Sequence, residues 1–117
     1  MTHTPFVFIV VAEDGMSHEH HSRLRGGDVT TVLRRAVGGW PAPIPTGASN
    51  LHLWCDEDGP AKSRRPNLVA GLLVARLGGG RTPLAGPVAI TGRRDGTAVS
   101  LTPAQIDAVL AALTHCR

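Results

Sequence analysis

The densest group of side chains able to do chemistry is His18-Glu19-His20-His21. In an extended strand His18 and His20 share a face, so the pair could chelate zinc, nickel or copper. A structural zinc site takes about four protein ligands and a catalytic one about three. The remainder would have to come from elsewhere, and His52 and Cys55 are the available donors. No closed ligand set is written into the spacing. The segment therefore reads as a solvated polar loop with incidental metal affinity, and no metal or other cofactor is expected.

Covalent chemistry has one opening: Cys55 precedes Asp56 at the end of an apolar run, and six histidines are present. A Cys/His arrangement is open on these residues, but an unmarked cysteine more often serves as a small inert hydrophobe. The triplet Asp56-Glu57-Asp58 lacks the ligand spacing and terminal glutamate of a calcium loop. Gly78-Gly79-Gly80-Arg81 superficially suggests a phosphate loop, yet it follows a helix pattern instead of opening one. It reads as a helix stop, and no catalytic residue is assigned.

Anion chemistry has more material. Arg64, Arg65 and Asn67 stand at the start of a helix pattern, where unpaired backbone N–H groups and the positive end of the helix dipole favour a phosphate or carboxylate. The plainer reading is that Asn67 caps the helix and the arginines are solvated. Arg34 with Arg35, Lys62 with Arg64 and Arg65, and Arg93 with Arg94 form three basic groups. Brought together, they would make a face for nucleic-acid phosphate; spread out, they would be solvating charges. Eleven arginines and one lysine against nine carboxylates give a net charge of +3 and a pI near 9.7, which permits polyanion binding without requiring it. Two Trp, two Phe and no Tyr argue against a platform for stacked bases, and no helix-turn-helix or zinc-finger pattern is visible.

The elements that must hold these residues follow from periodicity. A chain of 117 residues, 42% hydrophobic, suits a single domain spanning residues 1–117 with an aliphatic core. Phe6–Ala12 is apolar on both faces, as a central strand covered on both sides requires. Polar Glu13–Gly27 forms a loop or a short second strand. Asp28 caps a helix with Val29, Val32, Leu33 and Val37 on one face, ended by Gly38-Gly39. Pro41, Pro43 and Pro45 restrict Trp40–Ser49 to an extended edge or loop. Leu51–Cys55 is a strand; Asn67 caps a second helix through Leu68, Leu72 and Leu73; Val88–Thr91 is a strand; and Asp95-Gly96 turns the chain toward Ala98-Val99. Thr102-Pro103-Ala104-Gln105 spells a capping box for a last helix carrying Ile106, Val109, Leu110 and Leu113. The order predicts an α+β fold: a small mixed β-sheet with about three helices packed mainly on one face.

Several short motifs in this order carry a resemblance. Val37-Gly38-Gly39-Trp40, Leu53-Trp54 before an acidic glycine turn, Pro66-Asn67 with Ala70, Gly86-Pro87-Val88-Ala89-Ile90-Thr91-Gly92, and Leu101-Thr102 with Gln105 together resemble the family DUF3846, over roughly residues 28–113. The acidic turn departs from the family's form in having Cys55-Asp56, and Ser17–Ser22 has no counterpart in it. The resemblance implies a phage, plasmid or actinobacterial setting and brings no reaction or catalytic residues with it.

Phe6–Ala12 is too short for a secretory signal, no run reaches the roughly 20 apolar residues of a membrane helix, and two isolated cysteines suit reduced thiols. A cytoplasmic protein is expected, with no membrane association. The leading functional expectation is a non-enzymatic interaction module, a phage or mobile-element accessory factor engaging a host or phage protein or a small anionic ligand. The alternatives are a nucleic-acid-associated domain and a metal-dependent or thiol enzyme.

Overall fold

The computed structural model describes residues 5–24, 26, 28–80 and 83–117. Gly27 and Arg81, the ends of the polar segment and of the glycine run, lie outside them. Strand β1 (Phe6–Val11) is the axis of the molecule. It pairs on one side with β2 (Ser17–Ser22) and on the other with β5 (Val88–Arg94). Beyond β5 come β4 (Leu51–Asp56) and β3 (Pro41–Ile44), giving the order β2-β1-β5-β4-β3, while β6 (Thr97–Val99) takes up the far end of β5.

The α+β class and the three helices match the sequence pattern, whereas the sheet is antiparallel at every described strand pair and not mixed. Pairing direction is set by where the helices return the chain, which hydrophobic period does not encode. Ser17–Ser22 is a strand and not a loop, since its backbone pairs with β1 from Phe6↔Ser22 to Val11↔Ser17. A polar sequence suits such an exposed edge. At the opposite edge, Pro41 and Pro43 occupy alternate positions of β3, so their missing N–H groups can both fall on the free side.

Alternation in β1 divides the core. Ile9 and Val11 join Leu53, Val88 and Ile90 beneath α2 (Leu68–Arg76) and α3 (Pro103–Thr114). Phe6, Phe8 and Val10 join Ala89 beneath α1 (Val29–Val37) on the other side. Two helices thus cover one face and one covers the other.

The helix boundaries are chemically explicit. Asp28 accepts from the Thr31 backbone N–H at 3.2 Å, and Gly38 closes α1 in the left-handed region at φ 79°. Asn67 caps α2 by accepting from Ala70 N–H at 3.1 Å. Thr102 and Gln105 form the reciprocal capping box, with bonds of 3.1 and 2.9 Å.

Candidate functional site

The C-terminus of α1, the end of β4 and the segment before α2 meet around one buried carboxylate. Asp56 alternates onto the α1 side of β4, where its side chain has no exposed surface. Lys62 Nζ donates to its Oδ2 at 2.9 Å, Asp58 N–H donates to Oδ1 at 2.9 Å, and Arg64 Nε stands 3.1 Å from Oδ2. The last is a charge contact more than an aligned hydrogen bond, since the Nε–H has no well-directed acceptor. Burial alone would raise the Asp56 carboxyl. The Lys62 bond, the Asp58 N–H and the charges of Lys62 and Arg64 outweigh it and hold the pKa below its ordinary value.

Glycines make room for this contact. A Cβ on Gly39 would fall 2.7 Å from Asp56 Cγ, and one on Gly86 would fall 2.8 Å from Arg64 Cδ. Arg64 Nη2 also donates to Gly38 O at 2.8 Å, answering a carbonyl at the end of α1. Asn67 Nδ2 donates to Val11 O and Gly86 O, both at 2.9 Å, so this buried amide is satisfied on both its oxygen and its nitrogen. Of the three residues expected to hold an anion before α2, then, Arg64 is turned onto Asp56 and Gly38, Asn67 is internal, and Arg65 is exposed.

The basic groups are partly united. Lys62 Nζ lies 3.4 Å from Gly38 O, and Gly38 also lines a shallow depression with Thr31, Arg34, Arg35 and Gly39. The first two groups therefore meet at the end of α1. Arg93 shares the α1 side of β5 with Ala89, whereas Arg94 alternates to the other side. Among the described residues, Arg34, Arg35 and Arg93 have no carboxylate within ion-pair distance. Arg23, which the sequence did not single out, joins Arg35 along two adjoining depressions. The Arg34 guanidinium lies 4.3 Å from the ring centre of Trp40, and that indole is 56% exposed.

His18 and His20 project on the α1 side of β2 and His21 on the other. Among the described residues no three His, Cys, Asp or Glu side chains form a group that could hold a metal ion. His52 packs on Trp54 with ring centres 4.2 Å apart, and burial, assisted by Arg93, lowers its pKa. Cys55 and Cys116 are both free thiols. Burial and then the neighbouring Asp56 charge raise the Cys55 pKa, which suppresses the thiolate a nucleophile needs. No described helix is long and apolar enough to cross a membrane.

Two of the motifs that carried the family resemblance, Gly38-Gly39 and the run beginning at Gly86, also make room for the Asp56–Arg64 contact, while Asp56 itself stands where the turn departs from the family's form. No curated protein and no solved structure matches the chain. The family described as a domain of unknown function, DUF3846, matches residues 6–114, spanning all the strands and helices above, and the chain belongs to that family.

Proposed function

We propose that this domain is a non-enzymatic binding module that engages an anionic partner on the α1 side of its sheet. One observation carries the reading: Arg23, Arg34, Arg35 and Arg93 lie on that side, and none has a carboxylate partner among the described residues. Arginine left unpaired on one surface attracts phosphate or carboxylate over distances of about a Debye length. The partner is a small anionic ligand or an acidic patch on a host protein, and the setting is that of a cytoplasmic phage or mobile-element accessory factor. The Asp56 junction supports the face from beneath, with Arg64 acting as a structural cation.

A nucleic-acid partner is the second reading, favoured by exposed Trp40 beside Arg34, a pair on which a base could stack. An enzyme based on Cys55 is disfavoured by the raised thiol pKa. Titration of isotopically labelled protein with tripolyphosphate tests the proposal by NMR. Amide shifts should concentrate on α1, Trp40 and the adjoining strand residues. Shifts confined to α2 and α3, or absent at millimolar ligand, would contradict it.

A further inference from the structure

Between β2 and α1 lies an open groove of about 420 Å³, with His20 and Ser22 on the strand side, Val32 and Ala36 on the helix side, and Arg23 and Arg35 at its rim. Its floor is Phe8, on which the His20 imidazole stacks with ring centres 5.1 Å apart and planes 19° from parallel. The groove therefore combines a flat aromatic wall, aliphatic contacts opposite it, one hydroxyl and two guanidinium groups. Nearby Asp28 lines the adjoining depression with Arg23 and Arg35 and offsets part of their charge, but its carboxylate is turned to the Thr31 backbone N–H and hydroxyl at the start of α1 and makes no ion pair with either guanidinium.

We infer that this groove binds a phosphate monoester carried on a planar ring, as in a mononucleotide. The two guanidinium groups and Ser22 hold the phosphate, and the ring lies between the His20 imidazole and the Val32–Ala36 side of α1. Arginine suits the task because its fork of N–H donors matches phosphate oxygens. The His20 ring contributes a surface more than a charge, since burial and the neighbouring His18 lower its pKa and favour the neutral form. The inference rests on the anion-binding reading of this side of the sheet, and it names the pocket and ligand class within it.

Isothermal titration with adenosine 5′-monophosphate and with inorganic phosphate tests the groove. The nucleotide should bind with 1:1 stoichiometry and about ten-fold more tightly than phosphate, a difference of about 1.4 kcal/mol. Ala36→Leu, which fills the groove without changing charge, should weaken nucleotide binding by about ten-fold. Ser22→Val provides a second variant should Ala36→Leu lower the melting temperature. A 5′-phosphorylated oligonucleotide that outcompetes its 5′-hydroxyl form would assign the same chemistry to a strand end. Nucleotide binding no tighter than phosphate, or unchanged in both variants, overturns the groove proposal. If tripolyphosphate still shifts α1 in that case, the wider anion-binding face survives; if it does not, both fail.

Discussion

Arg64 Nε lies 3.1 Å from Asp56 Oδ2, and the same guanidinium donates to the Gly38 carbonyl at 2.8 Å. One side chain thus ties the end of α1 to the end of β4. A carboxylate without exposed surface left short of a cation is costly. Arg64→Met should destabilise the fold by about 2 kcal/mol, in the range for hydrogen bonds to charged groups, because Lys62 remains on Asp56. Because the Asp56 pKa is depressed in the folded state, its contribution is present above the ordinary carboxylate value and fades as pH falls through the lower folded value. Urea denaturation at neutral and acid pH checks both. An Arg64→Met midpoint equal to the parent's would show that the junction carries no load.

Gly39 is the steric counterpart of that pair. An alanine methyl there would collide with the Asp56 carboxylate, whose Cγ would be 2.7 Å away. Gly39→Ala should cost about 1–3 kcal/mol, the usual range for overpacking. Pairing it with Asp56→Ala should cost less than the sum of the two single changes, which a double-mutant cycle in urea measures.

The α3 cap gives a local test. Thr102→Ala removes the acceptor for the Gln105 backbone N–H and should lower stability by about 1 kcal/mol. Gln105 also reaches from its Nε2 to Asn50 O at 3.0 Å, tying α3 to the approach to β4. Gln105→Ala should therefore destabilise as well, with both effects read from the thermal midpoint.

Burial lowers the pKa of both His20 and His52, assisted by His18 and Arg93 respectively. Their unfolded forms bind protons more readily than the folded ones. Stability from these groups is therefore complete above the ordinary histidine value of about 6.5 and declines as pH falls below it. Proton NMR should place both histidines below the unfolded value, and titration of either at or above that value would contradict the burial argument.

What the sequence disclosed was chiefly local. Asp28, Asn67 and Thr102 cap helices through backbone N–H groups three residues away, so residue type and spacing were enough. Phe6–Val11 was legible as a central strand because both its faces are apolar. The β2 strand was obscured because edge pairing is made by backbone, leaving its side chains polar. The role of Asp56 was hidden inside an acidic turn that resembles a solvated one. Its partner Arg64 and the space left by Gly39 become evident only when α1 and β4 are brought together. Arg23 and Ser22 gave no motif at all, since their groove exists only between β2 and α1.

The central claim is that anions are taken on the α1 side of the sheet, and matched charge reversals test it most directly. Arg35 lines that side, whereas Arg76 is an exposed arginine at the end of α2 on the opposite side. Fluorescence anisotropy with a labelled single-stranded oligonucleotide, repeated at low and moderate salt, compares Arg35→Glu with Arg76→Glu. Arg35→Glu should weaken binding by about ten-fold, Arg76→Glu should leave it within about two-fold, and parent binding should weaken as salt rises because counterions are released. Equal losses from the two reversals, or binding by the parent that ignores salt, would contradict an anion-binding face built on α1.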